Sequence, residues 1–483
     1  MASDYSKDMY RQMMELYEKV DALTALVSEL KQRYKEDMAE KDSRIETLEK
    51  ENTLLREEVS RLKSDRNNNS SNSSNPPSSD QKGAKRANEY NSRKKSGKKQ
   101  GGQAGHRGVT LTKEIAEKMI ASGECSHVVE IIGDPSAGNP TVKYEIDINV
   151  ETQITEYRIY EESEASEMPC GDVFYGPRIK AFTVELYGIG VVSIKRIQDI
   201  IWSITRKMIN VAAGTLYGFC RKFAARGKNS LKQIEEHLLD GSVAYTDATV
   251  VTIDGKQGYI RNVSNDSAVR YYAMSKKDLE TLKKIEILAR FAGFLMHDHE
   301  TALYHFGIDH AECNSHLLRY LLKNSEDSTN NWSMQLSDLL MEMKESREKA
   351  IADGRKKFTD EELDDYYLRY NKILSTGRVE NRSTSPKWAK REESALLNRL
   401  EKYRDNHLLF LKNFEIAFTN NMSERDLRKC KNRQKVAGGF RNMEGCEMFA
   451  DILSIIETAK RQSLNPYDVI LALFQSSDSV FSF

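Results

Sequence analysis

SVAYTDATVVTIDGKQGYIRNVSNDSAVRYYAMS, residues 242–275, reads as three successive strands. Its runs SVAYTDATVVTID, QGYIRNVS and AVRYYAMS are rich in the β-branched and aromatic residues that fit a pleated surface. A helix, DLETLKKIEILARF (278–291), follows, and AGFLMHD (292–298) returns as a strand. Asp247 lies inside the first strand, between Val243 and Ile253, and Asp298 ends the fourth. Farther on, Glu424 falls in the first turn of the helix NMSERDLRKC (421–430). A carboxylate inside or ending a buried strand is costly unless it has a partner or a task. Three that converge at one sheet edge can hold two divalent ions about 4 Å apart, the arrangement that serves in-line displacement at phosphorus. Hard carboxylate oxygens suit Mg2+ or Mn2+. Taken singly, each acid reads more readily as a cap or a surface residue than as a metal ligand.

Working outward, residues 315–415 are largely helical, and 422–432 and 445–462 are further helices with Pro466 beyond the last. The 126 residues from Asp298 to Glu424 exceed a simple strand–helix return. A helical insertion is therefore expected at 326–412, inside a core formed by 241–325 and 413–462, with 463–483 as a tail. Cys313 and His316 sit one helical turn apart. A metal role would need two more ligands, and with none evident a structural or DNA-proximal role is expected.

Upstream, SIKRIQDIIWSI (193–204) and NVAAGTLYGFCRKF (210–223) are helices, the second with Leu216, Phe219 and Phe223 on one face. Two short helices joined by a tight turn, the second ending in Arg221 and Lys222, suit a helix-turn-helix within 179–240. An ordinary helical pair fits the same pattern. In TVKYEIDINVETQITEYRIY (141–160), Val142, Tyr144, Ile146, Ile148 and Val150 recur at period two, so a small β module is expected within 111–178.

The N-terminal 64 residues carry apolar positions at Leu16, Val20, Leu23, Val27, Leu30, Tyr34, Met38, Ile45, Leu48, Leu55, Val59 and Leu62. Alternating steps of three and four make a coiled-coil seam, with a register shift through Lys41 and with Asn52 at an a-type position that favours two strands. A homodimer or higher oligomer is expected through it. DRNNNSSNSSNPPSSDQ (65–81) has no apolar residue and reads as a flexible linker. Residues 82–107 then hold nine Lys/Arg, among them Arg93, Lys94, Lys95, Lys98, Lys99 and Arg107, against Glu89 alone. The 65–110 segment is thus a candidate polyanion contact, with a solvated linker as the bland alternative.

Totals bound the class. Lys+Arg and Asp+Glu each number 73, so net charge is zero and the basic character is local. Six Cys without a paired framework suit a reducing compartment. No run is apolar enough to span a bilayer, and the charged N-terminus does not read as a signal peptide, so a cytoplasmic protein is expected.

YTDATVVTIDGKQGYIR (245–261) resembles the first-Asp motif of the insertion-sequence-sixty-six transposases. GFLMHDHETALYHFGIDHAECNSHLLRYL resembles their second-Asp motif and its Cys-x-x-His helix, and KSGKKQGGQAGHRG their basic Gly-rich segment. FTNNMSERDLRKCKNRQKVAGGFRNMEGCEMFADILSIIETAKRQSLNPYDVI is similar to their Glu motif and C-terminal tail, with Asn420, Asn421, Glu424 and Arg425 in its core. The resemblance spans residues 85–475. It implies a multidomain α+β protein whose ribonuclease-H-like α/β core is of the DDE type. Asp247, Asp298 and Glu424 would be the catalytic metal ligands for two Mg2+ or Mn2+, with Cys313, His316, Asn420 and Asn421 in support.

The implied activity is transposition of a bacterial insertion sequence, by nicking its terminal inverted repeats and joining the 3′ ends to target DNA. DNA is the expected partner, and small accessory proteins of the element are candidates. Arg425, Arg428, Lys429 and Arg433, with nearby Lys431, Lys435 and Arg441, would meet phosphates. The family's four-cysteine zinc module is reduced here to Cys125 and Cys170, with His127 nearby, so no structural zinc is expected. Ala248 departs from the family pattern beside Asp247, and Asp254 is the substitute for that acid. A non-catalytic DNA-binding protein and a nuclease without strand transfer are the rival functions.

Overall fold

Residues 2–68, 112–123, 125–132, 141–160, 171–475, 480, 481 and 483 are described by a computed structural model. Arg93, Lys94, Lys95, Lys98, Lys99, Arg107 and Cys170 lie outside the described residues, as does most of the linker.

The N-terminal pattern forms one helix, α1 (Ala2–Asn67). Its seam residues are exposed, Leu23 at 60% and Leu30 at 55%. Helix α2 (Lys113–Ser122) is capped by Thr112 at its start and by Gly123, at φ 69°, at its end. Residues 141–160 carry no strand, contrary to the expected β module. Ile148 and Ile154 are about nine-tenths exposed, at 86% and 91%. Period-two alternation makes a strand only where a partner completes the ladder, and no ladder forms among the described residues.

Four helices precede the sheet: α3 (Pro177–Gly188), α4 (Ile194–Ile204), α5 (Ala213–Arg226) and α6 (Lys228–Leu239). On α5, Leu216, Phe219 and Phe223 face the core as their spacing predicts. The connection from α4 to α5 is not the tight turn expected. It runs from Thr205 to Ala212, with Arg206 and Lys207 at positive φ and the Thr205 hydroxyl accepting the Ile209 N–H.

Strands β1 (Val243–Ile253), β2 (Lys256–Ser264) and β3 (Val269–Met274) pair antiparallel. Short helices α7 (Leu279–Leu282) and α8 (Glu286–Arg290) lead to β4 (Phe294–His297) and β5 (Asp309–Glu312). Both β4 and β5 add parallel, giving the order β3-β2-β1-β4-β5.

Helices α9 (Asn314–Ser328), α10 (Trp332–Ala352), α11 (Asp360–Asn381), α12 (Lys387–Lys402) and α13 (Arg404–Lys412) follow. The chain then closes with α14 (Asn421–Asp426), α15 (Arg428–Ala437), α16 (Met443–Arg461) and α17 (Pro466–Gln475). Two compact units result. One joins 1–86, 319–339 and 367–402; the other joins 87–318, 340–366 and 403–483, so the expected 326–412 insertion divides between them. In the first unit, the fully buried Glu393 accepts from Trp332 Nε1 at 2.6 Å, Asn330 at 2.8 Å and Asn381 at 2.8 Å. In the second, α16 packs along β3, burying Phe449, Ile452, Leu453 and Ile456.

The α15–α16 turn is stitched to the end of β1. Phe440 donates to the Thr252 carbonyl at 2.8 Å and accepts from Asp254 at 2.9 Å, while the Gln434 side chain accepts from Thr252 N and donates to its hydroxyl. Gly439 makes this approach possible: at φ +124° an added Cβ would lie 2.4 Å from the Thr252 carbonyl. Gly438, at φ +72°, has open space around it. Gly439→Ala should cost about 3 kcal/mol and Gly438→Ala about 1 kcal/mol. Urea midpoints of the two variants test the ranking, and equal losses would contradict this reading of the stitch.

Candidate functional site

Asp247 sits on the central strand β1, and Asp298 follows directly after its parallel neighbour β4. Glu424 comes from the first turn of α14. His316, in the first turn of α9, links two of them: its Nδ1 lies 2.9 Å from Asp298 Oδ1 and 3.9 Å from Glu424 Oε1. Burial alone would lower the His316 pKa, but Asp298 and Cys313 raise it to about 11. The His316 ring thus sits between two carboxylates. Asp247 is close enough to feel Asp298, and burial first and that neighbour second push its pKa from 3.8 up to about 6. Asp298 and Glu424 are therefore brought to one histidine, and Asp247 lies near enough to Asp298 for the two charges to interact.

Polar side chains fix their geometry. Asn420 is fully buried, and its Nδ2 donates to the Thr246 carbonyl at 2.8 Å, tying the start of α14 to the residue before Asp247. Its backbone N–H donates to Cys313 Sγ at 3.2 Å. Asn421 is exposed, and nothing in the structure explains its place in the motif. Asn262, opposite Asp247 on β2, accepts the Asp247 N–H at 3.0 Å and donates to Asp426 at 3.0 Å. Arg461 grips both oxygens of Asp426 at 2.6 and 2.7 Å. Through Asn262 and Asp426, strand β1 and helix α14 share one hydrogen-bonded frame. Sequence reading missed these three residues, because an Asn in a strand and an Arg near a helix end carry no local signal.

The acids that crowd Asp298 in sequence are engaged elsewhere. Glu300 pairs with the buried Arg261 at 2.6 Å, and His299 with the buried Glu312 at 2.7 Å. His297 is buried and held down to about 4 by desolvation, with Nε2 3.1 Å from His310. Asp254 occupies the β1–β2 turn at φ 52°, roughly 20 Å along the strand from Asp247. It is not a substitute for that acid.

Among the basic residues, Arg221, Lys222, Arg425 and Arg428 are exposed and available to a polyanion. Two others need correction. Arg433 is buried over the rings of Tyr187, Phe440 and Phe449, with Tyr187 nearest at 4.5 Å. Lys429 pairs with Glu457 at 2.5 Å. Both face inward because α15 turns that side to α16 and the core, which the charge pattern alone did not reveal.

A prediction follows from the Asp247 pKa. A carboxyl raised from 3.8 to about 6 takes up a proton on folding, so stability falls as pH rises through that window and stays lower above it. Asp247→Asn should therefore stabilise the metal-free protein by about 2 kcal/mol at pH 7–8, roughly 5 °C in melting temperature, and by almost nothing near pH 4. Calorimetry in chelator checks it; a gain at pH 4 as large as that at pH 8 would count against the crowded-charge reading.

No helix among the described residues is long and apolar enough to cross a membrane. Residues 173–448, more than half of the chain, match the Transposase IS66 family. Residues 13–112, which take in most of α1 and the basic stretch, match a family of unknown function (DUF6444). No curated protein matches the chain.

Proposed function

The chain belongs to the IS66 transposase family, and on that premise we propose that it cuts DNA at the terminal inverted repeats of a bacterial insertion sequence and joins the 3′ ends to target DNA. The single observation that carries this reading is the meeting of Asp298 and Glu424 at His316, with Asp247 close enough to Asp298 for its carboxyl to be raised by it. The strand order β3-β2-β1-β4-β5, with an acid on β1 and another after β4, supports a ribonuclease-H-like core of the DDE type.

The donor set fits divalent ions. Asp247, raised by burial and then by Asp298, gains from a cation placed beside it, and the hard carboxylate oxygens suit two Mg2+ or Mn2+. When bound, such ions activate the attacking oxygen, water or a 3′-hydroxyl, and stabilise the leaving one. The chain's own residues do the positioning. Asn420 and Asn262 hold the backbone at Thr246 and Asp247, and Asn262 ties that strand through Asp426 to the helix that carries Glu424. Arg425 and Arg428, exposed beside Glu424, lie along the DNA backbone, as Arg221, Lys222 and the 82–107 stretch do at other points. The exposed seam of α1 pairs with a second copy, which would hold two element ends together.

Incubation of the full chain with Mg2+ and end-labelled terminal-repeat DNA tests the proposal. Mg2+-dependent nicking followed by joining to a target duplex is expected. Binding without cleavage would favour a non-catalytic DNA-binding protein, and cleavage without joining a nuclease; either overturns the proposal.

A further inference from the structure

From sequence, Cys313 and His316 are half of a metal-ligand set, with no second half in view. The fold supplies it. Cys313 N donates to the His297 carbonyl at 3.0 Å, which carries the β4–β5 pairing one residue past β5 and sets Cys313 beside Asp298. His316 N then donates to the Cys313 carbonyl at 3.2 Å, the first turn of α9. One donor atom from each of Asp298, Cys313 and His316 lies within 4.8 Å of the others. Glu424 Oε1, 3.9 Å from His316 Nδ1, offers a fourth.

We infer that Asp298, Cys313 and His316 bind one borderline transition-metal ion, of the Zn2+ or Co2+ class, on the Asp298 side of the carboxylate centre. A first-row ion holds sulfur at about 2.3 Å and nitrogen or oxygen at about 2.1 Å, so its donors stand roughly 3.5 Å apart. A contraction on the order of 1 Å closes this trio around an ion, and His316 Nδ1 and Asp298 Oδ1 are already 2.9 Å apart. Cys313 is buried, with the Asn420 N–H directed at its sulfur at 3.2 Å, a bond that supports thiolate charge. Sulfur and imidazole donors disfavour Mg2+, which demands oxygen. The two sides of the centre thus differ in kind: oxygen donors toward Asp247, and oxygen, nitrogen and sulfur toward His316.

The inference rests on the metal-dependent reading of the site, and its test is separable from that reading. The experiment titrates Co2+ into the full chain carrying Cys125→Ser and Cys170→Ser, so that the remaining thiols are buried ones. A thiolate-to-cobalt charge-transfer band is expected in the near ultraviolet. Cys313→Ser should abolish it and weaken Co2+ binding more than about 10-fold. Asp247→Asn, outside the trio, should leave the band in place. Absence of the band, or its survival in Cys313→Ser, overturns the inference. Mg2+-supported cleavage alongside such a result would leave the transposase reading standing, with His316–Asp298 and Cys313–Asn420 as structural contacts alone.

Discussion

Glu424→Gln lowers Mg2+-dependent strand cleavage by at least about 10³-fold while leaving DNA affinity within about 3-fold of wild type. The substitution keeps the side chain's size and removes one negative oxygen from the metal-binding set. Fold stability should barely change, because His316 Nδ1 stands 3.9 Å from Glu424 Oε1, beyond hydrogen-bond reach. Asp298→Asn should lose as much activity. A quench assay on labelled repeat DNA, run beside a binding assay, separates the two effects. Cleavage within 10-fold of wild type in Glu424→Gln would remove that residue from the reaction.

Arg461→Ala should be the most destabilising single change near the site, at about 3–5 kcal/mol. Arg461 and Asp426 are 14% and 10% exposed, and the pair is bidentate. Arg461 Nη1 also donates to the carbonyls of Asn265 and Ala268. Truncation leaves a buried carboxylate without its cation and takes one donor from each of two carbonyls, and the Asp426 carboxyl, already raised by burial, would rise further. A fall of roughly 10 °C in melting temperature is expected. Because Asp426 also receives Asn262, the loss should reach the site, and cleavage should fall even at temperatures where the variant stays folded. An Arg461→Ala protein with unchanged melting temperature would show that α14 is held by other contacts.

These two outcomes trace what sequence could and could not reveal. Asp247, Asp298 and Glu424 stand mid-strand, at a strand end and in a first helical turn, but local pattern alone does not single them out; the family resemblance does. Local pattern located β1 to β4, since the apolar and aromatic runs there are mostly buried. Strand β5, Asp309–Glu312, is four mostly polar residues and has no such pattern; pairing with β4 alone makes it a strand. The opposite failure occurs at 141–160, where alternation is present and no ladder forms. Arg433 and Lys429 show the same limit for charge. They lie in a basic run, yet their partners, Tyr187 and Glu457, come from α3 and α16. Contacts between residues far apart in the chain decide all four cases, and periodicity does not carry them.

The central claim is that Asp247, Asp298 and Glu424 surround a shared metal position. Loading the full chain with Fe2+ and adding ascorbate and peroxide generates hydroxyl radicals that cut the backbone next to the bound ion. Mass spectrometry of the fragments should place cuts around residues 247, 298 and 424, suppressed together by excess Mg2+ or Mn2+. Cuts confined to other segments, or cuts at one of the three unaffected by Mg2+ and Mn2+, would contradict a common metal centre.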